Sequence, residues 1–256
     1  MADDTGAEWV RTDDGVMLAT RRHGSIDARV ALVVAHGFTM TSLDRRLAAL
    51  AGDLVEAGHA VYTFDFRGHG RSGGVSTLGD LEVLDVDAVV HLARAHHHDK
   101  IVVVGASMGG FVALRHAALV GGEDAVIAIS TPATWGVSPR PRARALLLAA
   151  RNRAGRRILS ARGTRVAARL LRPTSPSELM HQITIPVAIV HGDRDRYVPS
   201  EDARLLHGSL GGPGRLVILP GFRHAETAYS REFATIVGSL VEELLGGPVG
   251  ENADPS

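Results

Sequence analysis

Short apolar runs alternate with longer stretches of helical spacing along most of this chain. Val30–Ala35, Ala60–Phe64, Ile101–Val104, Ala125–Ile129, Ile185–Val190 and Arg215–Leu219 each read as a strand, those at Ile101–Val104 and Ile185–Val190 as buried ones. Between and after them, Ser42–Ala57 places Leu43, Leu47, Leu50 and Leu54 on one side of a helix. Leu81–Ala95, Asp202–Leu210 and Ala228–Leu245 read as helices as well. Trp9–Thr12 and Val16–Thr20 flank Asp13-Asp14-Gly15, the signature of a hairpin with an Asp-Gly turn. Alternation of β and α predicts a mostly parallel sheet covered by helices on both faces. One segment, residues 132–182, breaks the alternation. It predicts helices over Ala143–Ala150 and Thr164–Leu171, edged by Pro139, Pro141, Pro173 and Pro176. The chain thus divides into core (1–131), insertion (132–182), core again (183–245) and a Gly-, Pro- and polar-rich tail (246–256) expected to be disordered.

A length of 256 residues is enough for one α/β domain with an insertion and a large core. Twenty-eight basic residues balance 28 acidic ones, so no overall field points to nucleic acid. Cysteine is absent, which excludes disulfides, thiolate metal sites and a cysteine nucleophile. The acidic opening Met1-Ala2-Asp3-Asp4-Thr5 lacks the apolar core of a signal peptide. No apolar run approaches the roughly 18 residues of a membrane span, and a cytoplasmic protein is expected.

The chemistry concentrates where strands end. Gly105-Ala106-Ser107-Met108-Gly109 follows the strand at Ile101–Val104 and precedes the helix-forming Phe111-Val112-Ala113-Leu114. Such a strand–turn–helix puts a serine on a sharp turn with its hydroxyl projecting, and the tight turn demands small flanking residues. A serine nucleophile needs a histidine base, a carboxylate that orients it and donors for an oxyanion. In the hydrolase arrangement they follow in the order Ser, Asp or Glu, His. Asp193 and Asp195 stand after the strand at Ile185–Val190, and His224 after Arg215–Leu219. His36-Gly37-Phe38 closes the strand at Val30–Ala35. Ligand sites of open α/β sheets form along this carboxyl edge.

On these residues, and on Asp65-Phe66-Arg67-Gly68-His69-Gly70-Arg71-Ser72, the chain from Trp9 to Leu245 resembles the α/β-hydrolase superfamily. The branch it is similar to holds bacterial monoacylglycerol lipases, esterases and serine aminopeptidases. The resemblance implies an α/β-hydrolase fold, an eight-stranded mostly parallel sheet with a short helical cap inserted after the sixth strand. It implies Ser107 as nucleophile, His224 as base and Asp195 as orienting acid, Asp193 being the rival. The amides of Phe38 and Met108 would form the oxyanion hole, with Thr39, Met40, Trp135 and Leu147 against substrate. The implied activity is hydrolysis of a carboxylic ester, lipid-like or a small acyl ester, through an acyl-serine intermediate with no metal or cofactor. Thioester or non-hydrolytic chemistry on the same scaffold stays open, as does a ligand-binding receptor.

Other motifs read as structure. Gly68-His69-Gly70-Arg71-Ser72-Gly73 matches a dinucleotide fingerprint in spacing, but loop residues follow where a helix must open. His96-His97-His98 cannot converge on one metal from a helix, since successive side chains point about 100° apart. His36 and His191 are expected to lock backbone, and Asp65 to brace its loop. Residues Ala125 to Ser177 contain no acidic residue, yet eleven arginines lie between Arg140 and Arg172. This is either a solvated helix face or a positive lid for an anionic substrate or an acidic membrane surface. As a lid, Arg142, Arg144, Arg151 and Arg153 would rim a pocket lined by Leu146, Leu147 and Leu148. By the same resemblance, the lack of carboxylates from Ala125 to Ser177 disfavours a proline aminopeptidase, whose cap carboxylates would hold a substrate ammonium.

Overall fold

The computed structural model describes residues 8–136, 138–225 and 230–246. The expected disorder of the tail beyond Gly246 and the expected start of the last helix at Ala228 lie outside them. Eight strands form one sheet in the order β1-β2-β4-β3-β5-β6-β7-β8. They are β1 (Glu8–Arg11), β2 (Met17–His23), β3 (Val30–Ala35), β4 (Ala60–Phe64), β5 (Lys100–Ala106), β6 (Ala125–Ile129), β7 (Val187–Gly192) and β8 (Gly214–Leu219). The first two strands run antiparallel to their neighbours, and β3 to β8 are parallel. The hairpin closes as its Asp-Gly signal predicts, with Gly15 at φ +88° and its amide donating to Thr12 O.

Because successive strand residues point to opposite faces, one run feeds two cores. Ala31, Val33, Val103 and Val126 pack beneath α2 (Val83–Ala95), α3 (Met108–Leu119) and α7 (Ser200–Gly208). Leu32, Val34, Val102 and Ile127 pack beneath α1 (Arg45–Glu56) and α8 (Arg231–Leu244). On α1 the expected stripe holds for Leu47, Leu50 and Leu54, which are buried. Leu43 lies before the helix and is exposed, because Asp44 caps it by accepting from the Arg46 amide at 2.9 Å.

The insertion between β6 and β7 carries α4 (Pro141–Arg151), α5 (Arg153–Ala161), α6 (Pro176–Leu179) and a 3₁₀ turn at Met180–Gln182. Helix α4 matches the one expected over 143–150. The helix expected over Thr164–Leu171 does not form. Its backbone instead pairs with the core loop after β4: Thr164 bridges His69, Val166 bridges Ser76, and Arg165 exchanges hydrogen bonds of 2.7 Å with Gly68 O and the Ser76 amide. Helix α5 was not anticipated. Asn152 starts it by accepting from the Gly155 amide at 2.7 Å, and Gly155 and Leu159 form its buried face. Residues 176–182 pack on α3 and α7 rather than on α4 or α5.

Candidate active site

Ser107 stands between β5 and α3 as the residue that caps the helix, at φ +54° and ψ −112°. An L-residue adopts that backbone only where its surroundings enforce it. The enforcement is visible: the Ser107 amide donates to Ile129 O at 2.8 Å, and Ser107 O accepts from Phe111 N at 3.0 Å. A Cβ on Gly109 would collide with the carbonyl of Ala35, so this turn seats against β3 only with glycine there.

Asp195 is buried beyond the end of β7, and each of its oxygens is used. Oδ1 accepts from the Tyr197 and Val198 amides at 2.7 and 3.0 Å, and Oδ2 meets His224 Nδ1 at 2.7 Å. Burial pushes this carboxyl up, but the His224 hydrogen bond and the two amides outweigh it and hold the group below the ordinary carboxylate value. Asp193, the rival, accepts instead from the Gly221 amide at 2.7 Å and lies exposed. The structure therefore pairs His224 with Asp195. The Tyr197 ring lies 4.8 Å from the imidazole, centroid to centroid.

The other histidines near this edge are held neutral and busy. His36 Nδ1 lies 2.8 Å from Gly37 O and its Nε2 accepts from the Phe66 amide at 3.1 Å. His69 Nδ1 lies 3.1 Å from Arg67 O, and His191 Nε2 lies 3.2 Å from Val198 O. Burial depresses all three, His69 to about 3. Asp65 braces its loop as expected, accepting from the Ser42 and Arg71 amides at 2.6 and 2.9 Å. His96 and His98 both bond the Tyr62 hydroxyl, at 2.7 and 2.8 Å, and no group of metal-ligating side chains occurs among the described residues.

A cavity of about 800 Å³ lies over Ser107 and His224, floored by the sheet edge and roofed by α4 and α5. Phe38, Met108, Thr39, Met40, Trp135 and Leu147, all named from sequence, line it together. The amides of Phe38 and Met108 donate to no other described residue, which leaves both free for an incoming oxygen. Trp135 is fixed by a 2.9 Å bond from its indole to Leu78 O. The expected arginine rim is only partly met. Arg142 lines the cavity, 5.9 Å from the centre of the Tyr197 ring, but Arg144, Arg151 and Arg153 do not line it. Leu146 and Leu147 face the cavity while Leu148 is exposed. Arg151 lies over the Trp135 ring instead, and Arg162, Ile158, Tyr197 and Asp202 complete walls that the sequence reading missed. The missed signal was the cap residue Asn152 followed by Gly155 and Leu159, four residues apart on one helix face.

A profile of the family described as serine aminopeptidase, S33, matches residues 26–172, more than half of the chain. The chain belongs to this family. A monoacylglycerol lipase of Mycolicibacterium smegmatis is 31% identical over 232 residues, covering 77% of this chain and 82% of its own. Among solved structures, an esterase of Pyrococcus furiosus superposes with a TM-score of 0.75 at 24% identity, covering 94% of this chain and 92% of that one. The esterase RhEst1 of Rhodococcus sp. ECU1013 gives 0.70 at 21% identity, covering 93% and 99%. The two superpositions share the fold of this S33 member, an α/β-hydrolase sheet with flanking helices. No helix among the described residues is long and apolar enough to cross a membrane.

Proposed function

We propose that this protein hydrolyses carboxylic esters through an acyl-serine intermediate and prefers acyl groups that carry a negative charge. The carrying observation is the 2.7 Å contact between Asp195 and His224, with His224 and the strained Ser107 lining one cavity. In this reading Ser107 Oγ attacks the ester carbonyl while His224 Nε2 takes its proton. Asp195 fixes the tautomer with Nδ1–H toward itself and stabilises the imidazolium that forms. The free amides of Phe38 and Met108 donate to the developing oxyanion. His224 then returns its proton to the alcohol, and in the second half draws one from water to release the acid. The similarity to a monoacylglycerol lipase supports ester over thioester substrates.

The charge preference rests on a balance within the cavity wall. Asp44 caps α1 beside Arg46, 3.7 Å away, and is compensated there. Asp202 stands on α7, outside the roof, and accepts from the Ala133 amide at 3.0 Å. Arg142 and Arg162 meet no carboxylate among the described residues, so the roof contributes net positive charge. A fluorophosphonate probe should label the wild type and leave Ser107→Ala unlabelled. The substitution should also lower kcat on p-nitrophenyl esters by about 10³-fold or more. Labelling of the variant, or unchanged turnover, would remove Ser107 from the reaction.

A further inference from the structure

The cap arginines are not spread evenly. Arg153, Arg156, Arg157 and Ser160 recur along α5 at the spacing that puts side chains on one face. With Arg165 and Val166 they wall a second depression of about 310 Å³, none of whose residues lines the catalytic cavity. Its two sides are anchored differently. The α5 side rides on the cap, while Arg165 is tied to the core: its guanidinium donates to Ser72 O and, at 3.4 Å, to Gly74 O. The depression is therefore built across the seam between cap and core.

Two features leave positive charge in this depression unneutralised. Four guanidinium groups share one depression, and none meets a carboxylate among the described residues; no Asp or Glu occurs anywhere from Ala125 to Ser177. In addition, Arg153 and Arg156 stand in the first turn of α5, where unpaired amides already concentrate positive charge and cations are disfavoured. A multiply charged anion relieves both. Guanidinium forks donate to carboxylates and phosphates alike. Arg165 spends Nε and Nη2 on Gly74 O and Ser72 O, and Arg156 spends Nη1 on Arg151 O. The forks of Arg153 and Arg157, the remaining N–H groups and the Ser160 hydroxyl still offer more donors and more charge than one carboxylate can match, whereas phosphate oxygens can. The volume is at the lower end of the roughly 300–1,000 Å³ of small-molecule sites.

We propose that this depression binds a phosphate-bearing ligand of at least two negative charges, clamped between α5 and Arg165. The proposal is independent of the esterase reading, and its test uses binding rather than turnover. Sodium pyrophosphate is titrated calorimetrically into the full chain at constant ionic strength. Saturable binding at one site is expected, weakened at least tenfold in the double variant Arg153→Gln/Arg157→Gln. The control Arg144→Gln/Arg169→Gln removes the same charge from outside the depression and should weaken it less than twofold. All these side chains are exposed, so both doubles should melt within about 2 °C of wild type. Co-sedimentation with phosphatidylcholine vesicles, with and without phosphatidic acid, identifies the source. Retention lost in the first double alone assigns a lipid headgroup; pyrophosphate binding without retention assigns a soluble phosphate. Absence of saturable binding in both arms, or equal weakening of the two doubles, overturns the site.

Discussion

Arg67 and Arg142 carry the same side chain in opposite surroundings. Arg67 is 2% exposed, and its guanidinium is saturated: Nε donates to Asp85 Oδ1 at 2.8 Å, and Nη1 and Nη2 to Asp14 at 2.7 and 3.0 Å. Outside the cap, partly exposed Arg94 also meets Asp124, and Arg231 meets Glu56 at the surface, but of these three only Arg67 is buried. In the cap, Arg142 and Arg151 lie over aromatic rings, and Arg172 with Glu178 is the single cap ion pair among the described residues. A neutralised core charge specifies geometry, and breaking it leaves a partner stranded in low dielectric. An uncompensated cap charge is available to a ligand and is screened by salt. Substitutions in the core should therefore act on rate and stability, and those in the cap on selectivity.

The sharpest contrast lies within one loop. Asp195→Asn should lower kcat by about 10⁴-fold, because an amide facing His224 favours the wrong imidazole tautomer. Asp193→Asn should cost less than about fivefold, since an amide oxygen still accepts from the Gly221 amide. Steady-state kinetics on one short-chain ester decides it, and the reverse ranking would break the pairing of roles proposed for this loop.

The same contrast explains what could be read from the chain. The sheet and the edge residues were legible because the inner strands, buried on both faces, are near-continuous apolar runs, and because Ser107, Asp195 and His224 each follow a strand. The cap was harder. Over Thr164–Leu171 helical spacing lost to long-range backbone pairing: Arg165 bonds Gly68 and Ser76, and the Ala167 amide donates to Ser76 O at 2.9 Å. None of these partners is within reach of a local pattern. Helix α5 escaped because its arginine-rich face hid the two buried positions, Gly155 and Leu159. Asp202, too, reaches the cavity from a helix whose apolar stripe gives no hint of it.

Stability separates the two regions next. Arg67→Gln should destabilise by about 3–5 kcal/mol, the scale for removing one partner of a buried pair. Arg144→Gln in the cap should stay within about 0.5 kcal/mol. Denaturant midpoints at matched slopes measure both, and comparable losses would mean that cap charges are structural after all.

A buried histidine offers a subtler probe of the core. His116 Nδ1 lies 3.0 Å from Glu123 Oε1 and Nε2 3.5 Å from Asp87 Oδ1. Burial depresses it, but the two carboxylates prevail and raise it to about 9. With the folded value above the ordinary 6.5, its stabilisation is complete below about pH 6.5. It is then lost as pH rises through about 9. His116→Gln should therefore cost most at pH 6 and progressively less toward pH 9.5. A difference between variant and wild type that is flat over that range would mean His116 is neutral when folded.

The smallest effect belongs to the cap and bears on the substrate. Each exposed guanidinium contributes no more than about 1 kcal/mol to a paired anion, so Arg142 and Arg162 together should favour a charged acyl group about three- to tenfold. p-Nitrophenyl hemiglutarate and p-nitrophenyl hexanoate present a carboxylate and an alkyl end to the same cavity. The ratio of their kcat/KM values should fall as salt rises from about 0.01 M to 0.5 M, where the Debye length shrinks from roughly 30 Å to a few ångströms. Arg142→Gln/Arg162→Gln should flatten that slope and pull the ratio toward its high-salt value. Arg153→Gln/Arg157→Gln, outside the cavity wall, should shift it less, because several ångströms of α5 and solvent intervene. A ratio that ignores both salt and the Arg142 and Arg162 substitutions would make the roof a plain apolar cover. The anionic preference would then fall while the chemistry proposed for Ser107 stood.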